Sequence, residues 1–218
     1  MNEIIIMLDT ETCNTLEDNL IYDIGFMAVT REGEVLERKS FVNADIYLYE
    51  KELMKSAYYA DKLPQYEQEL KEGKRKLAKF STIQKILCQL MRKYETQIIC
   101  CHNASFDSRA LNRTQRYITK SAKRFTLPYG TIIWDTLKGA RQTIGKEEAY
   151  KEFCETNGYM TKHKKPRARL TAEIIYRYLT NDLEFVEAHK GIEDCEIESQ
   201  ILVYILKNYE GVELSLYA

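Results

Sequence analysis

Four acidic residues and one histidine, spread along the whole chain, could together form a site for divalent metal ions. Two of the acids follow a short apolar run, one lies near the middle, and the histidine precedes the last acid near the end. Carboxylates are the ligands that Mg²⁺ and Mn²⁺ prefer, and histidine exchanges protons near neutral pH. We therefore predict one metal site built from Asp9, Glu11, Asp107, His189 and Asp194.

The first two acids follow an apolar run, residues 4–8, which predicts a strand that is covered on both faces. Side chains alternate along a strand, so Asp9 and Glu11 are expected on the same side. Like charges about 4 Å apart repel by roughly 4 kcal/mol at an effective dielectric near 20, so either one is protonated or a cation lies between them. Two solvated acids in a loop are the alternative for so short a motif.

The last acid lies near the start of a predicted helix. Asp194 shares the apolar face with isoleucines at helical spacing, and the helix's other acids are expected on its flanks and outer face: Glu193, Glu196 and Glu198. A carboxylate on an apolar face is uncommon unless it is paired or holds a metal. Gly191 suggests that His189 lies on a loop leading into the helix, from which it could lean over the same site. The alternative is an ordinary surface or packing histidine.

The middle acid follows a second predicted buried strand, residues 97–101. Asn103 or Ser105 can cap the helix after it, and Asp107 lies in the first turn of that helix. The alternative is a structural role for Asp107, because the helix dipole favours a carboxylate in the first turn. The carboxyl end of a central strand, however, is where open α/β sheets bind ligands.

Three motifs resemble those of the DnaQ-like DEDDh 3′→5′ exonucleases: Asp9-Thr10-Glu11, HNASFD ending in Asp107, and His189-x4-Asp194. The resemblance extends from the first residue to about residue 207. It implies an α/β, ribonuclease-H-like fold with a five-stranded mixed β-sheet flanked by α-helices. The alternation in 20–30 and 35–42 predicts a hairpin, which fits that fold.

The resemblance also implies two Mg²⁺ (or Mn²⁺) ions. Asp9 would bridge both ions, Glu11 and Asp194 would help hold the ion that carries the attacking water, and Asp107 would help hold the other. His189 would take the proton from that water. Backbone amides around Thr10 to Thr12 would lie close to the terminal 3′-nucleotide. We assign Thr10, Thr12 and Asn103 to substrate binding.

Further elements follow from periodicity. A last short strand is predicted at 131–134, with Asp135 as the N-cap of another helix. The remaining predicted helices are 146–157, 171–180 and 192–208, and we expect one domain (1–208) and a C-terminal tail (209–218).

Two groups of basic residues could contact a nucleic-acid strand. One is a stripe on the helix after Asp107, formed by Arg109, Arg113, Arg116 and Lys120, for which a solvated outer face is the alternative. The other is a basic loop, residues 162–169, which includes Lys164 and Lys165; here we favour a contact with nucleic acid over a loop without a binding role.

The tail offers a separate hypothesis. Residues 213–217 resemble the short peptides that dock in bacterial sliding clamps, although Glu213 departs from the usual glutamine. A tail folded back onto the domain is the alternative.

Bulk properties narrow the class of protein only slightly. A net charge of −1 argues against a protein that coats nucleic acid through overall charge, and no apolar stretch is long enough to span a membrane. Six cysteines without a C-x-x-C pair favour reduced thiols and a cytoplasmic location. The resemblance implies a metal-dependent 3′→5′ exonuclease acting on single-stranded DNA. An exoribonuclease or oligoribonuclease on short RNA, and a non-catalytic nucleic-acid-binding module, are the alternatives.

Overall fold

A six-stranded mixed sheet forms the centre of the protein, whose computed structural model describes residues 3–216. The order across the sheet is β4-β3-β2-β1-β5-β6; β2 is antiparallel to both of its neighbours and the other pairs are parallel. The strands are β1 (Ile4–Cys13), β2 (Leu20–Thr30), β3 (Val35–Asn43), β4 (Lys76–Ala78), β5 (Ile98–Cys101) and β6 (Ile132–Asp135). The predicted α/β fold is confirmed, with one strand more than expected. That strand, β4, has three residues, which is too short to show periodicity.

Helices cover both faces of the sheet. They are α1 (Ala44–Tyr47), α2 (Lys51–Met54), α3 (Leu63–Lys71), α4 (Phe80–Lys93), α5 (Ala104–Thr119), α6 (Thr136–Gln142), α7 (Glu148–Thr156), α8 (Ala172–Thr180) and α9 (Gly191–Asn208). Single 3₁₀ turns precede α3 and α7. The three helices predicted from 146 onward are confirmed as α7, α8 and α9, with boundaries within two residues.

Two helix starts tested the capping predictions. Asp135 is the N-cap of α6 as predicted, because its carboxylate accepts hydrogen bonds from the backbone N–H groups of Leu137 and Lys138. The capping prediction for α5 was wrong: Asn103 stands at the N-cap position but its side chain makes no capping hydrogen bond, and Ser105 lies inside the helix. Asn103 instead adopts a left-handed conformation (φ 67°), which asparagine tolerates better than most residues.

Alternation along β1 divides the core into two layers. Ile5 and Met7 pack in the layer that holds α9, while Ile6 and Leu8 pack in the layer that holds α4 and α5. Asp9 and Glu11 continue the Met7 side of the strand. The last residues of β1 thus carry these acids toward the start of α9.

Two glycines allow α9 to begin directly against the sheet. A Cβ at Gly25 would lie 2.1 Å from the backbone nitrogen of Ile192, and one at Gly191 would lie 2.4 Å from the nitrogen of Gly25. Neither position can hold a side chain without separating the helix from β2. Gly191 therefore provides close approach of the two backbones, which places the first turn of α9 beside β1.

The C-terminal segment folds back onto the domain as far as residue 216. The Leu214 side chain is buried, its carbonyl accepts from the Asp135 N–H, and the Leu216 N–H donates to the Ile133 carbonyl. Leu214 is therefore already used as an anchor in the core, so nothing here supports the predicted sliding-clamp contact. Tyr217, the aromatic residue of that prediction, lies outside the described residues.

Two further expectations concern the class of protein. None of the helices within residues 3–216 is long and apolar enough to cross a membrane. All six cysteines are free thiols, as expected, and Cys100 and Cys101 pack on opposite faces of β5. The cytoplasmic location stays a prediction.

Candidate active site

The five residues predicted for the metal site meet at one edge of the sheet. Asp9 and Glu11 lie at the end of β1, and the other three lie at the starts of two helices: Asp107 in the first turn of α5, Asp194 in the first turn of α9, and His189 just before α9. Four of them line a cleft of about 730 Å³, and Asp107 lies behind it. Ligand atoms of Glu11, His189 and Asp194 all lie within 4.8 Å of one another.

Hydrogen bonds fix two of the carboxylates. The Thr10 hydroxyl donates to Asp107 Oδ1 over 2.7 Å, and the Lys190 backbone N–H donates to Asp194 Oδ2 over 2.8 Å. The Thr10 side chain is thus buried against Asp107, and neither it nor Thr12 lines the cleft. Contact between a nucleotide and these two residues, which the resemblance implied, would have to come from their backbone.

The acids strongly oppose one another's ionisation. Burial, followed by the charge of Asp194, raises the pKa of Glu11 to about 9. Burial also raises the pKa of Asp194 to about 8 and that of Asp107 to about 7. For Asp9, burial and then the charge of Glu198 raise the pKa well above its ordinary value. Without a cation, the cluster could not be fully ionised at neutral pH.

Two carboxylate oxygens test whether these residues fit divalent ions. Asp9 Oδ2 and Asp194 Oδ1 are buried and have no hydrogen-bond partner. Buried carboxylate oxygens are normally hydrogen-bonded, and leaving them unpaired is costly. A donor set of carboxylate oxygens suits Mg²⁺ or Mn²⁺. The residues present therefore fit such ions.

His189 is held in a defined orientation above these acids. Its backbone is left-handed (φ 53°), and its ring stacks on Tyr59 with a centroid separation of 3.9 Å. Its Nδ1 lies 3.8 Å from a carboxylate oxygen of Glu187. Partial burial lowers the pKa of His189, which favours the neutral imidazole at neutral pH.

The residues of the cleft that were not predicted from the sequence include Tyr59, Glu187 and Glu198. The placement of Glu198 on the flank of its helix was wrong, because its side chain is only 3% exposed and faces the acid cluster. The signal was present, since a spacing of four residues puts Glu198 on the same face as Asp194. Tyr59 and Glu187 lie in irregular segments, where periodicity gives no indication of which way a side chain points.

A buried ion-pair network holds the loop that carries His189. Asp23 Oδ2 accepts from the Gly191 N–H over 2.9 Å, and Asp23 Oδ1 lies 3.0 Å from Arg75 Nη1. Arg75 also contacts Glu193 of α9 at 2.6 Å and Glu69 of α3 at 2.5 Å. The start of α9 is thus tied to β2 and α3 by charge-assisted hydrogen bonds, which are about twice as strong as neutral ones.

The predicted substrate contacts are only partly at the cleft. Asn103 lines it, whereas Arg109, Lys164 and Lys165 are exposed side chains that do not. Other members of the α5 basic stripe contact the protein itself, since Arg113 donates to the Leu16 carbonyl and Lys120 lies over the ring of Tyr117.

Three arginines line the cleft instead: Arg141, Arg167 and Arg169. None of their guanidinium groups forms an ion pair or a hydrogen bond with the residues between 3 and 216. These three residues, which we call the arginine wall, line the same cleft as the carboxylates and have no side-chain partner among the described residues. Arg167 and Arg169 belong to the predicted basic loop, which approaches the cleft through these two residues.

Comparison with known proteins shows similarity of structure only. No family model matches the sequence, and no curated protein matches it. The fold is similar to that of "cell-death related nuclease 4 (CRN-4)", with a TM-score of 0.53 and 10% identity; the match covers 94% of this chain and 64% of that one. Another solved structure, S. pombe Pop2p with bound Mg²⁺ and Mn²⁺, gives a TM-score of 0.47 and 11% identity, with 96% and 85% coverage. The chain thus has the ribonuclease-H-like fold and spans less than two thirds of the first of these structures.

Proposed function

We propose that the protein is a metal-dependent 3′→5′ exonuclease that hydrolyses single-stranded DNA. The observation that carries this proposal is the convergence of Asp9, Glu11 and Asp194 with His189 in one cleft, with Asp107 directly behind. These residues come from three separate parts of the chain, and their charges oppose one another unless a cation is present.

The metal ligands in this proposal are carboxylates. Asp9, Glu11 and Asp194 would hold Mg²⁺ or Mn²⁺ together with Asp107, and the orphaned oxygens of Asp9 and Asp194 support this. Such ions, when bound, acidify a water molecule and neutralise the charge that develops on a phosphodiester. Two ions are part of the proposal, because a single Mg²⁺ is usually bound by one or two carboxylates and this site offers four.

His189 would accept the proton of the attacking water. Its lowered pKa keeps the imidazole neutral and therefore able to act as a base near neutral pH. Stacking on Tyr59 and the nearby Glu187 carboxylate limit the directions in which the ring can point.

The arginine wall supports a polyanionic substrate. Arg141, Arg167 and Arg169 lack partners within the described chain and face the same cleft, so a phosphate backbone would supply the anions they lack. This local charge explains how a chain with a net charge of −1 could hold nucleic acid. The similar structure CRN-4 is named as a nuclease, which agrees with the proposal.

Degradation of end-labelled oligonucleotides tests the proposal. Single-stranded DNA labelled at its 5′ end should give a ladder of progressively shorter labelled products with Mg²⁺ or Mn²⁺, and none with a chelator. A phosphorothioate at the 3′-terminal linkage should delay the ladder, whereas Asp9→Asn should abolish it. Parallel reactions with duplex DNA and RNA define the preferred polymer. Absence of cleavage of every polymer with either ion would overturn the proposal.

A further inference from the structure

Glu198 is an acid of the cleft that the three sequence motifs do not include. It lies one helical turn after Asp194 on α9, is 3% exposed, and lines the cleft together with Asp9. A buried carboxylate in this position needs a specific partner, because burial of an unpaired charge is costly.

The partners that Glu198 has do not balance its charge. One carboxylate oxygen, Oε2, accepts from the His102 backbone N–H over 3.2 Å, and no lysine or arginine forms an ion pair with it within residues 3–216. His102 follows the end of β5, which pairs with β1, so this hydrogen bond places the Glu198 carboxylate beside the end of β1 that carries Asp9.

Asp107 provides the contrast. Its Oδ1 is occupied by the Thr10 hydroxyl at 2.7 Å, and its side chain does not line the cleft, although it is as deeply buried as Glu198. Glu198 therefore lines the cleft together with Asp9, whereas Asp107 does not line it.

We propose that Glu198 is a direct ligand of the divalent metal site in this chain, acting together with Asp9. This proposal rests on the metal site of the proposed function. It assigns α9 two ligands one turn apart, Asp194 and Glu198, rather than the single acid of the His189-x4-Asp194 motif. Asp9 and Asp194, each of which has a buried carboxylate oxygen without a hydrogen-bond partner, line the same cleft as Glu198.

Calorimetric titration of the full chain with Mn²⁺ tests the assignment without relying on activity. Glu198→Gln removes the charge but keeps the volume and an acceptor for the His102 N–H. The matched control is Glu196→Gln, which makes the same change on the same helix at a residue paired with Arg38 outside the cleft. We expect Glu198→Gln to weaken binding of at least one Mn²⁺ ion by about tenfold or more. The control should bind Mn²⁺ like the wild type.

A melting experiment provides a second readout. Without metal, Glu198→Gln should melt at a higher temperature than the wild type, because a neutral amide replaces a buried carboxylic group that has no cationic partner. Addition of Mn²⁺ should raise its melting temperature less than that of the wild type. Equal Mn²⁺ affinity and stoichiometry in Glu198→Gln and wild type would overturn the Glu198 assignment and leave the proposed function standing. A wild type that binds no Mn²⁺ would overturn both.

Folding of the variant is checked by circular dichroism before titration. If Glu198→Gln does not fold, Glu198→Asp replaces it, since this change keeps the charge and withdraws it by one methylene. Weaker Mn²⁺ binding by Glu198→Asp supports the assignment, and wild-type binding overturns it.

Discussion

The imidazole of His189 lies flat on the ring of Tyr59, with centroids 3.9 Å apart and planes inclined by 9°. Tyr58 in turn meets Tyr59 edge to face. Because Tyr59 comes from the segment before α3 and His189 from the loop before α9, the stack fixes the ring across two segments far apart in sequence. Tyr59 is therefore a positioning residue for the proposed base.

Substitution of Tyr59 should lower turnover, because the His189 ring would lose the stack that holds it in position. We expect Tyr59→Ala to lower kcat by about tenfold to a hundredfold, because small displacements of a reacting group have effects of this size. Tyr59→Phe retains the stack and should restore turnover. Mn²⁺ affinity, measured by calorimetry, should be unchanged in both variants. Equal loss of activity in the Phe and Ala variants would contradict a role for stacking.

Removal of the imidazole itself should separate catalysis from folding. His189→Ala should lower kcat by about 10²–10⁴-fold, the usual contribution of general base catalysis, and leave Mn²⁺ binding largely intact. Steady-state kinetics on a labelled oligonucleotide measure the first effect and calorimetry the second. Unchanged hydrolysis by this variant would remove His189 as the base.

The arginine wall makes a prediction about salt dependence. Replacement of Arg167 and Arg169 by alanine should raise KM and reduce the slope of log affinity against log salt by about 0.7 for each phosphate of a single strand that is no longer neutralised. The matched control is the double alanine variant of Lys164 and Lys165, which lie on the same loop outside the cleft. If the lysine variant had the larger effect, the nucleic-acid contact would belong to Lys164 and Lys165, as the sequence predicted.

Stability of the metal-free protein should fall as pH rises. Asp194 and Glu11 have pKa values raised to about 8 and about 9, so the folded state retains protons that the unfolded chain has lost. Their contribution to stability is therefore fully present below the ordinary carboxyl pKa of about 4 and is lost as the pH rises toward about 9. Melting curves in a chelator measure this decrease. Mg²⁺ or Mn²⁺ should reverse it, with a larger shift at the higher pH because the ligands must be deprotonated.

The C-terminal segment should contribute to folding stability. Leu214 is buried against Gly139, where its Cδ2 would lie 2.5 Å from an added Cβ. Leu214→Ala should lower the free energy of unfolding by about 2–5 kcal/mol, as for other buried leucines. Leu183→Ala, at a leucine that is 44% exposed, serves as the control. Denaturant unfolding measures both, and equal stability of Leu214→Ala and the control would mean that the segment does not hold the domain together.

Much of the fold was predictable because its strands and later helices carry strong local patterns. The apolar run before Asp9 is a strand covered on both faces, and Asp194 interrupts an apolar helix face. Both features are visible at a spacing of a few residues. The meeting of these acids was predictable only from the order of the motifs, since spacing within one segment says nothing about its distance from another.

Other parts of the site depend on contacts that sequence patterns do not record. Arg75 looks like a surface residue in a charged stretch. In the structure it is buried and forms ion pairs with three acids from separate elements. Irregular segments determine the positions of Tyr59 and Glu187, and backbone hydrogen bonding with β6 determines that of Leu214. Glu198 is different, because its spacing from Asp194 did contain the information.

The central claim is that Asp9, Glu11 and Asp194 jointly hold divalent cations beside His189. An anomalous difference map from crystals soaked in Mn²⁺ tests this most directly, since manganese scatters anomalously and carbon, nitrogen and oxygen do not. We predict peaks within ligand distance of these carboxylates, at about 2.0–2.6 Å. A well-ordered cleft without any peak beside Asp9 at saturating Mn²⁺ would contradict the account.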